Sequence, residues 1–173
     1  IYLLFYITKD TSITNAYKED LKSRGTKANM GLSDSLEVFF IYDQAPNVTG
    51  SNRLEESRIL IYPNLSSLWS HYGAFPQNTK FVLRMFNAAH PYTLPKNYTL
   101  TVYSGDTAWD EGHGLDMESY KDEGAPNWLE SATSTQWATL GAVDKTNNSI
   151  IVGSQHFTLG TEDLEIDITS WIQ

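Results

Sequence analysis

Apolar and β-branched residues recur along the chain in short runs, and turn-forming clusters separate them. The runs predict strands over Ile1–Thr8, Leu36–Asp43, Ser57–Tyr62, Lys80–Phe86, Tyr98–Tyr103, Ser149–Thr158 and Leu164–Thr169. Tyr98-Thr99-Leu100-Thr101-Val102-Tyr103 and Leu164-Glu165-Ile166-Asp167-Ile168 alternate with period two, as strands with one wet face do. Gln44-Ala45-Pro46-Asn47, Pro63-Asn64, His90-Pro91 and Asn147-Asn148 carry turn chemistry between runs. Two stretches predict single helical turns: Leu65–Tyr72, behind Pro63-Asn64 as turn and N-cap, and Asn127–Ala132. Many short strands and few helices give an all-β expectation, an antiparallel β-sandwich of jelly-roll type with long loops and one or two short helices. No internal repeat or low-complexity linker divides the chain, so one β-sandwich domain over 1–173 is expected.

The apolar run Ile1-Tyr2-Leu3-Leu4-Phe5-Tyr6-Ile7 is too short to span a bilayer and leads straight into Thr8-Lys9-Asp10, so it reads as a buried strand. The stretch from Ser104 to Asn148 is a different kind of feature. It separates two good strands and holds Trp109, Trp128 and Trp137, and long insertions of this sort are usually functional. Tryptophans in a loop are anchors: they pin it to the sandwich or dock it onto a partner. Pinning is the expected role, because an unpartnered cluster of exposed Trp would be a solubility liability.

Composition changes the picture mainly by exclusion. Twelve basic against 21 acidic residues give a net charge of −9, the wrong sign for a phosphate backbone, so nucleic acid is not an expected partner. Nor is a membrane. There is no cysteine, which removes disulfides, thiolate metal sites and cysteine nucleophiles. No G-x-S-x-G elbow, H-E-x-x-H pair or G-x-x-x-x-G-K-[ST] loop occurs, and His71, His90, His113 and His156 stand in unrelated contexts, so no catalytic residue is assigned and no enzyme is expected.

The acidic part of the insertion has three readings. A solvated loop is the default. A calcium site would draw on Asp106, Asp110, Asp116 and Glu118, with Gly112 and Gly114 letting backbone carbonyls turn inward. A glycosidase would need two converging carboxylates, and Asp110 with Glu118 is the pair to test. Glycan binding instead needs exposed rings and planar polar groups, for which the candidates are Trp109, Tyr120, Trp128 and Trp137 with Asp110, Glu111 and Asn127. Arg58 reads either as an anion or sugar ligand or, the favoured reading, as an arginine paired with acids where a strand begins.

The landmarks occur in an order that resembles the DNRLRE family of jelly-roll domains, which are related to carbohydrate-binding modules. They are Asp10 and Asn29-Met30-Gly31, Leu36-Glu37-Val38, Arg58-Ile59-Leu60-Ile61-Tyr62, Phe81-Val82-Leu83-Arg84-Met85, Leu100-Thr101-Val102-Tyr103 running to Trp109-Asp110-Glu111, and Asp167-Ile168-Thr169-Ser170-Trp171-Ile172. The family's last strands have no counterpart after Gln173, so the resemblance implies a C-terminally incomplete domain; the loop Gly112–Trp128 is also longer than the family's. The run from Trp109 to Glu118, Trp-Asp-Glu-Gly-His-Gly-Leu-Asp-Met-Glu, looks like versions of this domain in structural proteins of tailed phages. That resemblance implies a virion component of the neck, tail or capsid surface, whose partners are other virion proteins and symmetric copies of itself, and a host glycan in the overlapping case. The alternative is a carbohydrate-binding module outside the cell or at its surface.

Overall fold

The longest ladder in the protein joins β1 (Ile7–Thr14) to β3 (Leu54–Pro63), antiparallel from Ile7 opposite Pro63 to Thr14 opposite Ser57, with a bulge between Ile7 and Lys9. On its other side β3 takes β2 (Phe40–Tyr42), with Phe40 opposite Glu56 and Tyr42 opposite Leu54. The computed structural model describes residues 4–73, 75–76, 78–89, 93–144 and 150–172. Contacts divide the chain into two compact units, Ile1–Asn64 with Asp106–Asp144, and Leu65–Gly105 with Lys145–Gln173.

In the first unit, the three-stranded sheet β1-β3-β2 is joined by the small hairpin of β6 (Glu130–Ala132) and β7 (Thr135–Gln136). Its centre is unusually polar: Thr11, Ser12, Thr14, Asn29, Glu55, Ser57, Asn127 and Ser131 are buried beside Ile13, Ala28, Met30, Met117, Trp128 and Trp137. Buried polar groups are tolerable only when hydrogen-bonded. Glu55, 0% exposed, accepts the Tyr17 N–H at 2.8 Å, and the Gln44 amide, oriented to donate, reaches both its oxygens at 3.2 Å.

The second unit is two antiparallel ribbons. One pairs β5 (Tyr98–Tyr103) with β8 (Ile151–Phe157), the other β4 (Val82–Met85) with β9 (Leu164–Asp167). Phe157, Leu164 and Ile166 form its core, and Leu83, Met85, Tyr98, Leu100 and Val102 pack around them, the inward half of each alternating strand. Tyr98 and Phe157 stack with ring centroids 4.9 Å apart. Gln155 of β8 ties the ribbons together: it donates to the Asp163 carbonyl at 2.7 Å and accepts from the Glu165 N–H at 2.6 Å. Helix α1 (Ser66–Tyr72) and the turn-like α2 (Thr169–Ile172) are the only helices of α type among the described residues.

Antiparallel sheets with two short helices are the all-β, sandwich-like class that the sequence pattern predicts. Four local expectations need correction. The strand expected over Leu36–Asp43 keeps only Phe40–Tyr42. Among the described residues the first strand starts at Ile7, Leu4 to Tyr6 lie exposed ahead of it, and Ile1 to Leu3 of the expected strand lie outside the described residues. Its polar second half is strand because neighbouring segments satisfy it: Ser12 Oγ accepts the Glu37 N–H, and Asp10 N–H donates to Glu111. Asn127 to Ala132 is not a helical turn. The Asn127 side-chain oxygen accepts the N–H groups of Leu129 and Glu130, a turn that leads into β6. The last strand stops at Asp167, whose carboxylate accepts the Thr169 N–H and starts α2. The turns at His90-Pro91 and Asn147-Asn148 lie outside the described residues.

Candidate functional site

The insertion is held to the first unit by a set of side chains from β1, β3 and the loop before β2. Asn29 is the busiest of these. Its Nδ2 donates to the carbonyls of Glu111 (3.1 Å) and Pro126 (2.9 Å), while its Oδ1 accepts from Gly31 (3.2 Å) and Gly114 (2.7 Å). All of the amide's capacity is spent on orienting backbone. The approach is close enough that a Cβ on Gly31 would overlap the Glu111 carbonyl, and one on Gly114 would overlap the Asn29 carbonyl. The N-x-G at 29–31 and the G-x-G at 112–114 therefore interlock as backbone against backbone.

At the start of the insertion, Lys9 Nζ donates to the Trp109 carbonyl at 2.7 Å and lies 5.1 Å from the Trp109 ring and 5.2 Å from the Tyr62 ring. The ammonium is thus enclosed by aromatic faces that attract it. Next to it the Asp10 N–H donates to Glu111 Oε1 at 3.0 Å, and burial together with the Glu111 charge pushes the Asp10 carboxyl above its ordinary value. At the far end, Arg58 lies 4.6 Å from the Trp128 ring, pairs with Glu56, and donates to the carbonyls of Gly141 and Val143. Arg58 is a strand arginine paired with an acid, as the favoured reading has it, and it also clamps the insertion. Trp128 and Trp137 are 7% and 6% exposed, and Trp137 Nε1 donates to the Asn127 carbonyl at 2.8 Å.

The residues singled out for glycan binding are therefore brought near one another, but for a different purpose. Trp128, Trp137 and Asn127 are buried and offer no open face, so they are not a sugar platform. Trp109 is half-buried beneath Lys9, and Glu111 is engaged by the β1 backbone. Tyr120 is half-buried against Gly25, and burial, with Glu55, Glu37 and Asp116 nearby, raises its hydroxyl above the usual range. Asp110 is exposed, with its N–H donating to Ser131.

The proposed cation ligands do not assemble. Among the described residues no three carboxylate or imidazole groups come together as a metal site, so Asp106, Asp110, Asp116 and Glu118 are not gathered as the expected calcium site would need. Asp116 instead accepts the N–H groups of Glu118 (2.8 Å) and Ser119 (2.9 Å), and these bonds hold its carboxyl below the usual range. Gly114 turns its N–H, not a carbonyl, toward Asn29. A shallow depression lined by Asp43, Gln44, Ala45, Pro46, Asn47 and Arg53 lies beside β2. Sequence reasoning missed the roles of Lys9, Arg24 and Glu55. Arg24 stacks on Tyr17 and donates to the carbonyls of Asn15, Asn52 and Leu54, and a lone basic residue in a loop gives no signal of that.

Comparison of the chain with protein-family models, curated proteins and solved structures gave no match. Among the described residues no helix is long and apolar enough to cross a membrane.

Proposed function

We propose that this chain is a non-enzymatic structural module of a tailed-phage particle, acting through contacts with other virion proteins and with copies of itself. The observation that carries it is the state of the insertion. Its tryptophans and amides are turned inward as anchors, while Leu32, Leu115 and Leu140 stay exposed on the same unit. A loop fixed by side chains that face the core is a rigid surface, and large apolar residues left on such a surface suit protein contact. The assignment to a phage particle rests on the likeness of the run from Trp109 to Glu118 to phage structural proteins.

Antibody labelling of particles in a lysate of the source, viewed by electron microscopy, tests this. Discrete labelling on head, neck or tail is the expected result. Antigen found only free, or on cell surfaces, would remove the particle reading.

A carbohydrate-binding module remains the second reading, now favoured by a different observation. Trp69 and Tyr72, three residues apart on α1, are both well exposed, and Phe75 packs beside Trp69 at 4.7 Å. Glycan-array binding that is lost in Trp69→Ala would move the weight to it; an array without signal would leave the structural reading alone.

A further inference from the structure

The outer edge of β2 is open in both of the ways that matter for strand addition. The register places Phe39, Ile41 and Asp43 toward β3: Ser57 N–H donates to the Phe39 carbonyl at 3.0 Å, and Asp43 N–H to the Arg53 carbonyl at 2.8 Å. Backbone polarity alternates along an antiparallel strand, so the N–H and C=O groups of Phe40 and Tyr42 point away from the sheet, and the Ser57–Phe39 bond extends the same alternation toward Val38. Among the described residues no strand pairs with β2 on that side. The side chains of the same three residues share one face and are 46%, 66% and 58% exposed.

Natural edges are normally blunted by Lys, Pro or a bulge. The run Leu36-Glu37-Val38-Phe39-Phe40-Ile41-Tyr42 has no Lys and no Pro, and its strand part, Phe40–Tyr42, pairs in a regular register. Its charge is one-sided: residues 28–52 hold Asp34, Glu37 and Asp43 and no Lys or Arg. Asp43 is neutralised by Arg53 at 2.9 Å, which leaves the acids at the N-terminal end of the run. A second copy paired about Phe40 would set its own Asp43, already paired with Arg53, beside Glu37, and its residues 36–42 hold no Lys or Arg to meet the acids there.

We infer that the β2 edge with the segment leading into it, residues 36–42, accepts an antiparallel strand from a different protein, apolar at alternate positions and carrying Lys or Arg at its C-terminal end. That end of an antiparallel partner lies beside Asp34 and Glu37. The inference deepens the reading of the chain as a virion structural module, and rests on it, by naming the contact edge and the partner's chemistry.

The test uses the full chain and a synthetic peptide, Thr-Val-Thr-Val-Thr-Lys-Lys, beside the same peptide ending in Glu-Glu. Binding is read by fluorescence anisotropy, and the amides of Val38, Phe40 and Tyr42 by hydrogen exchange. The Lys-ended peptide is expected to bind and protect these amides, with the Glu-ended one about tenfold weaker, a difference of about 1.4 kcal/mol. Glu37→Lys should level or reverse that preference. Phe40→Pro removes an outward N–H but none of the β2–β3 bonds, and should weaken binding about tenfold. Unchanged exchange in β1 and β3 verifies that this variant is folded. Equal affinity for the two peptides, or none for either, overturns the inference. So does self-association that Phe40→Pro abolishes without any peptide protection, which would give the edge to a second copy. Labelled particles without peptide binding would remove this inference alone, and peptide binding without labelled particles would remove only the particle reading.

Discussion

At the scale of single residues, polar side chains do the organising that tryptophan was expected to do alone. Asn29 illustrates it. Asn29→Ala would leave the buried Gly114 N–H and the carbonyls of Glu111 and Pro126 without their partner. An unsatisfied buried group costs about 1–3 kcal/mol, so the variant should lose about 2–4 kcal/mol in urea unfolding, with the insertion's amides exchanging first. Titration separates two kinds of carboxylate. Glu162 accepts the N–H groups of Thr158, Leu159 and Gly160, and these bonds hold its carboxyl at about 2. Its folded value is depressed, so its contribution to stability is present above the unfolded value of 4.5 and is lost as pH falls toward about 2. Asp10 has the opposite sign. Its folded value is raised, so its contribution is complete below the unfolded value of 3.8 and is lost as pH rises through the folded one. NMR titration of the two carboxyl carbons should show midpoints on opposite sides of the ordinary range. A shared ordinary midpoint would contradict both geometries.

At the scale of elements, the insertion behaves as part of the first unit because β3 reaches out to it. Arg58 holds the carbonyls of Gly141 and Val143 and lies on Trp128, and Lys cannot reproduce that fork and stack. Arg58→Lys should cost about 1–2 kcal/mol and dull the near-ultraviolet circular dichroism of Trp128. Gly141 has φ +75°, and a Cβ there would come within 2.8 Å of both the Arg58 guanidinium and the Trp128 ring. Gly141→Ala should therefore be at least as harmful, through strain as well as crowding, read again from the urea midpoint. In the second unit, Gln155 stands in for a strand ladder between β8 and β9. Gln155→Leu removes both bonds and should raise exchange at the Glu165 amide while the β5–β8 ladder keeps its protection.

At the scale of the whole molecule, the two units have separate interiors of different character. The first is built on satisfied polar groups and the second on a small apolar cluster around Phe157, Leu164 and Ile166. Asn29→Ala is thus expected to lower exchange protection in β1 and β3 while leaving that of β5 and β8 unchanged; a uniform loss across both would show one cooperative block. The net charge of −9 acts on this scale too. At low salt it would strengthen the attraction of the proposed β2 edge for a basic partner segment.

The sequence by itself determined the all-β class and the strands whose signal is local. Tyr98–Tyr103 alternates cleanly and is β5 without adjustment, and α1 follows Pro63-Asn64, though its N-cap is Leu65 and not Asn64. The pinning of Trp128 and Trp137 was also legible, since large rings seek burial wherever the chain puts them. Only the tertiary structure decided the rest. Lys9, Asp10, Thr11 and Ser12 lie beyond the expected strand Ile1–Thr8, yet they lie in β1 because partners distant in sequence, Trp109 and Glu111 among them, satisfy their polar groups. Asn127 reads as a glycan ligand and as the start of a helical turn, and it is neither: its side chain accepts the N–H groups of Leu129 and Glu130, and its carbonyl takes the indole of Trp137. The acids from Asp106 to Glu118 suggest convergence on paper, but backbone N–H groups claim Asp116 and Glu111 singly. Hydrophobic periodicity is written locally along the chain; which donor meets which acceptor across the fold is not, and the roles of the polar residues here are of that second kind.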